Sequence, residues 1–225
     1  LPISFSIQSE QQISATLGAE QLKVGILTGL IGLLLVFVYS LFQYRLLGFV
    51  TMASLVVAGI ISYEAIVLLG WALNYRLSLA GVAGLIVAIG ATADSFIVYF
   101  ERIRDEIRAG RTIPAAVSHG WKRASRTILA SKAVNLLAAV VLYVVSVGSV
   151  KGFAFTLGLT AIADLVVVYL FTHPALTLLA NTRYFGEGHR HSGLSPESLG
   201  AAPLYRGAGR FRSSKESTLS IAERR

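Results

Sequence analysis

The sequence contains no cysteine, so neither a disulfide framework nor a thiolate metal site can be built from it. Charge is almost as scarce: 14% of the 225 residues are Asp, Glu, Lys or Arg, and these gather around residues 101–126 and after residue 181. A soluble domain of this size could not easily stay in solution on so little charge. There is no phosphate-cradling Gly-Lys-Ser/Thr loop, no nucleophile elbow and no zincin helix, so enzymatic chemistry has no support and no cofactor is expected. His189 and His191 lack the carboxylate framework that would complete a metal site. The opening residues have no basic start followed by a short apolar core, so they do not read as a signal peptide. With Leu rather than Met at position 1, the chain is expected to be a piece of a longer protein.

What the sequence does have is apolar length. Hydrophobic residues make up 54% of the chain, and they fall into long stretches with few ionisable groups. A helix needs about 20 mostly apolar residues to cross the hydrocarbon, where nothing else satisfies free backbone groups. Residues 24–44, 47–71, 77–100, 127–147 and 152–180 meet that requirement. The predicted fold class is therefore an all-α membrane protein, a bundle of five transmembrane helices. Short turns join the first to the second span, the second to the third and the fourth to the fifth, so these neighbours run antiparallel.

The net charge of +8 does not point to nucleic acid, because the basic residues sit in linkers and tail rather than alternating with aromatics. It sets orientation instead. The linker after the third span carries Arg102, Arg104, Arg108, Arg111, Lys122, Arg123 and Arg126, and the tail carries eight more, from Arg183 to Arg225. The opposite ends carry only Lys23, Arg76 and Lys151. The positive-inside rule places the linker and the carboxyl end in the cytoplasm and the amino end outside. The expected organisation is an extracytoplasmic connector over 1–22, a transmembrane bundle over 23–180 with a cytoplasmic elbow at 101–126, and a basic, disordered tail over 181–225 close to membrane lipids. Within the elbow, Glu101 to Arg108 extends the third span and Gly110 closes it. Thr112 and Pro114 suit the start of a separate short helix running toward Trp121.

A carboxylate inside a bundle costs a few kcal/mol or more, so one that is present usually faces a cavity, a partner or a proton path. Three are candidates: Asp94 in the third span, Asp164 near the middle of the fifth, and Glu64 near the outer end of the second. Each could instead be hydrogen-bonded into the bundle for assembly, or wetted by a small shift of its span. Lys132 lies at the depth of Asp94 on the antiparallel fourth span, so the two are expected to pair, unless Lys132 snorkels to the headgroups. Gly25 and Gly29 have the spacing that lets helices approach closely, and mark packing rather than a dimer. His173, beside Pro174, reads as a packing residue.

Three linked blocks resemble one family. Ser14-Ala15-Thr16-Leu17-Gly18-Ala19-Glu20 leads into the Gly29 to Val36 run. Ala80 to Gly84 leads through Asp94 to Phe100-Glu101-Arg102-Ile103-Arg104-Asp105-Glu106. Val150-Lys151-Gly152-Phe153-Ala154-Phe155-Thr156-Leu157-Gly158 opens the last span. In order and spacing, these are similar to the membrane half of the SecD family, high-GC Gram-positive type. The resemblance implies half of a resistance-nodulation-division type membrane domain. It also implies an accessory subunit that joins SecF, acts with the SecYEG channel and SecA, and uses proton flow to draw unfolded exported protein across the bacterial cytoplasmic membrane. Asp94 takes the place of the family's proton-carrying aspartate, with Lys132 and Asp164 as further proton-coupling candidates. The chain departs from the family pattern twice. Ala91-Thr92-Ala93-Asp94-Ser95-Phe96 lacks the amide two residues after the aspartate, and Ala130-Ser131-Lys132 replaces the usual Asp-Ala-Asn. The family's first span and large extracytoplasmic domain have no counterpart in these residues. A small-molecule or lipid exporter of the same superfamily, or a non-transporting assembly scaffold, are the alternatives.

Overall fold

The computed structural model describes residues 15–73, 76–186, 188–189, 191–196 and 198–200. Among them the elements are α1 (Ala15–Tyr44), α2 (Leu47–Leu73), α3 (Leu79–Arg108), α4 (Ile113–Val145), α5 (Ser149–Val167), a π-helical turn (Val168–Thr172), α6 (His173–Ala180) and the short α7 (Arg183–Gly186). Five segments are long and apolar enough to cross a membrane, at the places the sequence predicts.

The connections follow from local chemistry. Arg45 adopts φ 54° between α1 and α2, and its N–H donates to the Leu41 carbonyl at 2.9 Å. Ser78 caps α3 by accepting from the Gly81 N–H at 3.1 Å. Gly110 (φ 88°) and Gly148 (φ 63°) turn the chain after α3 and α4 in a conformation that side chains rarely adopt.

Three expectations are corrected. The helix that begins at Thr112 is not separate: Ile113–Val145 is continuous, because within it no further proline follows Pro114 and its one interior glycine, Gly120, is packed against the α3 backbone at Ile103. α1 begins at Ala15, inside the stretch expected to be a connector, and residues 1–14 lie outside the described residues. The tail is ordered over its described part. The Leu46 N–H donates to the His191 carbonyl at 3.4 Å, and Ser192, Leu194 and Ser195 are buried. Gly193, at φ 81°, lies so close to the Tyr44 carbonyl that no side chain would fit. Residues 201–225 lie outside the described residues.

α3 packs against α1, α4 and α5. It approaches α5 through small buried residues: Gly81 and Gly84 lie against Thr156, and Thr92 reaches Asp164. α1 reaches α3 at Gly25, where a Cβ would stand 2.7 Å from Val82 Cγ1, so this glycine spacing serves packing within the chain. Toward the elbow the bundle holds a close-packed core that includes Tyr44, Phe96, Phe100, Ile103, Ile107 and Ile113. Charge pairs tie this end together. Buried Glu106 pairs with two arginines, its carboxylate lying 2.6 Å from Arg111 Nε and 3.1 Å from Arg123 Nη1. Arg104 donates to the Gln43 carbonyl at 2.6 Å and lies over the Tyr44 ring. Large apolar side chains such as Phe42 and Trp71 face outward, as lipid contact requires.

A Cβ at Gly84 would run into Thr156 and crowd the Phe153 carbonyl, whereas one at Gly32 would meet nothing. Gly84→Val is therefore expected to cost about 1–3 kcal/mol and to lower the thermal midpoint of the detergent-solubilised protein. Gly32→Val should leave that midpoint unchanged.

Candidate functional site

The buried charges converge at one point. Lys132 Nζ donates to Asp164 Oδ2 at 2.7 Å and to the Ala91 carbonyl at 2.8 Å, and the Thr92 hydroxyl donates to Asp164 Oδ1. Lys132 and Asp164 are each 2% exposed. The site thus joins α3, α4 and α5, with each carboxylate oxygen taking a donor. Such saturation is what a charge pair needs in a low-dielectric interior.

The expected Lys132–Asp94 pair is not formed. Depth does not separate the two aspartates: Asp94 and Asp164 lie about 22 Å from the Leu79 and Ser149 ends of their helices, and Lys132 about 20 Å from Val145. Facing decides. The buried side of α3 runs through Gly81, Gly84, Ala88, Thr92, Phe96 and Tyr99. Asp94, two residues beyond Thr92, is turned about 200° around the helix and is exposed. It has no hydrogen-bond or ion-pair partner among the described residues, and a Cβ on neighbouring Gly90 would meet nothing. Glu64 is also exposed, in a shallow hollow with Tyr63, Val67, Leu68 and Trp71, away from the pair.

Thr92 and the Ala91 carbonyl are the members of the site that sequence reasoning missed. Two signals were available. The small residues of α3 recur every three or four positions through Thr92 and skip Asp94. Lys132 and Asp164 are also nearly equidistant from the tight turn at Gly148. His173, as expected, is held by rings: it stacks on Trp121 with centroids 4.3 Å apart, and its Nδ1 is 2.9 Å from the Tyr99 hydroxyl. His189 packs edge-on against Tyr184.

A cavity of about 270 Å³ lies between α1, α2, α3 and α5 and reaches Thr92 and Asp164. Removing Lys132 would leave Asp164 buried without a counter-charge. Lys132→Met is thus expected to cost about 3–5 kcal/mol, read as a lower thermal midpoint in detergent. Lys132→Met combined with Asp164→Leu should recover most of that loss, whereas independent residues would give additive losses.

Comparison with known proteins agrees with this architecture. The family described as "Protein export membrane protein SecD/SecF, C-terminal" matches residues 2–182. The chain is 55% identical over 206 residues to the protein translocase subunit SecD of Streptomyces coelicolor, covering 92% of this chain and 36% of that protein. It is 53% identical over 209 residues to the SecD subunit of Mycobacterium tuberculosis, covering 93% and 34%. Both sources are high-GC Gram-positive bacteria, the type the sequence resembled. The crystal structure of SecDF, a translocon-associated membrane protein from Thermus, superposes with a TM-score of 0.68 at 34% identity, over 75% of this chain and 23% of that one. The chain spans about a third of the length of the curated relatives it matches. Five membrane-length helices, the family match and the shared fold together make this chain a multi-pass membrane protein of the SecD/SecF family of protein-export membrane proteins.

Proposed function

We propose that the protein carrying this chain serves as the SecD subunit of the Sec export machinery in the bacterial cytoplasmic membrane. It joins SecF, works beside the SecYEG channel and SecA, and uses the proton motive force to draw unfolded protein outward. The observation that carries this reading is Asp94: a carboxylate at mid-depth of a membrane-length helix, exposed on the outside of the bundle beside an open glycine. A group so placed is costly unless a partner helix or water meets it. SecF is the partner that would cover it.

The Lys and Arg excess puts the elbow and the carboxyl end in the cytoplasm and the amino end outside. Asp94, Lys132 and Asp164 are the proton-coupling residues. A proton crossing the membrane potential releases about 2.3 kcal/mol per 100 mV, enough to bias a conformational equilibrium when protonation is coupled to shape. Protonation of Asp94 moves α3 against the SecF half, and that displacement drives the extracytoplasmic part of the protein.

The test is proton-gradient-dependent export in membranes lacking native SecD, supplied with full-length protein intact or carrying Asp94→Asn. The variant is expected to lose the gradient-dependent part of export with the SecD–SecF complex still assembled. Undiminished gradient-driven export would overturn the reading, and loss of SecF binding alone would favour a scaffold.

A further inference from the structure

The cavity beside the buried charge pair is one-sided. Its walls are mostly apolar, but hydroxyls recur along it: Tyr63 and Ser62 on α2, Thr160 on α5 and Thr92 on α3, with Asp164 among its deeper lining residues. Leu77, in the connection before α3, also lines it. At 1.5 Å per residue, Ser62 and Thr160 lie about 16 Å from the Leu73 and Ser149 helix ends, and Asp164 about 22 Å. Toward the elbow, Phe96, Val167, Val168 and Thr172 are fully buried, and the Ser54 and Thr172 hydroxyls bond across this layer at 2.9 Å. The cavity therefore leads from the face opposite the elbow to mid-depth and stops.

Its volume holds several water molecules, and its hydroxyls and carboxylate supply the polar partners that ordered water needs. We propose that the cavity is an aqueous inlet delivering protons to Asp164, making the Asp164–Lys132 pair a protonation site separate from Asp94. The proposal rests on the proton-driven reading above, under which the mouth is extracytoplasmic. In the step itself, hydronium in the inlet gives its proton to a carboxylate oxygen of Asp164, leaving water and a neutral acid. Lys132 then loses its counter-charge and keeps only the Ala91 carbonyl, so an unpaired ammonium remains in the bundle and α4 is driven to shift.

The groups bonded to Asp164 are two, Lys132 from α4 and the Thr92 hydroxyl from α3; the cavity beside it is also lined by Ser62 and Tyr63 of α2, Thr160 of α5 and the apolar Leu33 of α1. Asp94 and Glu64 are exposed elsewhere. Thr92 and Ala91 lie just before Asp94 on α3, so release of the pair acts directly on the helix that carries the exposed carboxylate.

The absence of cysteine from the chain makes the test direct. In full-length protein with no other cysteine, in oriented membrane vesicles, Ser62→Cys and Thr160→Cys are treated with a membrane-impermeant thiol reagent from either side, and Ser149→Cys at the start of α5 serves as the surface control. Labelling of both cavity positions from the extracytoplasmic side is expected. Gly59 lines the cavity and a Cβ there meets nothing. Adding Gly59→Leu should therefore slow labelling at Thr160→Cys at least tenfold while sparing Ser149→Cys. Labelling of Thr160→Cys only by a lipid-soluble reagent, or only from the elbow side, would overturn the inlet; these outcomes are read without the plug, so they stand even where Gly59→Leu fails to fold. Infrared spectra then separate the sites. Acidification of the mouth side should raise a protonated-carboxyl band that is lost in Asp164→Asn and kept in Asp94→Asn. A band lost only in Asp94→Asn would overturn the second site and leave the proposed function standing.

Discussion

The close approach of α3 to α5 is the constraint on which the remaining arrangement depends. Lipid tails are as apolar as the helices they surround, so burial from water supplies no drive to bring spans together. Contact distance does that work, and Gly81, Gly84 and Gly152 remove the side chains that would hold the two backbones apart. Only at that separation does the short Thr92 side chain reach Asp164, and only then does Lys132, arriving from α4, reach both the Asp164 carboxylate and the Ala91 carbonyl. A bulkier residue at the glycine crossing would cost a few van der Waals contacts locally and the whole polar junction beyond it.

That junction places two carboxylates at one depth on opposite sides of α3. Asp164 is enclosed and doubly bonded, whereas Asp94 looks out of the bundle with no partner among the described residues. The same helix therefore separates a saturated acidic site from an open one by two residues of sequence. The carboxylate that balances Lys132 comes from the last span.

Much of the architecture was legible because a membrane asks little of a sequence. Apolar length fixes a span, and Arg45, Gly110 and Gly148 mark turns that the backbone confirms. What stayed hidden depends on facing. Lys132, Asp94 and Asp164 share a depth, and a difference of two residues on α3 decides which aspartate meets the lysine. Continuity was hidden as well, because Thr112 and Pro114 start a helix but do not say where it ends. The tail between Arg183 and Gly200 reads as polar and flexible, yet Ser192, Leu194 and Ser195 are buried and Gly193 sits against the α1–α2 turn, with the His191 carbonyl accepting from Leu46. Nothing local in the composition announces such a long-range contact.

The π-helical turn has a consequence for the last span. Asp164 and Leu176 both point into the bundle, yet an unbroken α-helix would place them about 120° apart after twelve residues. Accommodating one extra residue in the wide turn at Val168–Thr172 takes back about 100° of that rotation, leaving the two within about 20°. The turn acts as a phase corrector: it lets one continuous segment keep a polar junction on its axis-facing side in its first half and an apolar seam on that same side in its second. Pro174, which cannot donate a backbone hydrogen bond, relaxes the ladder at the place where the correction is made.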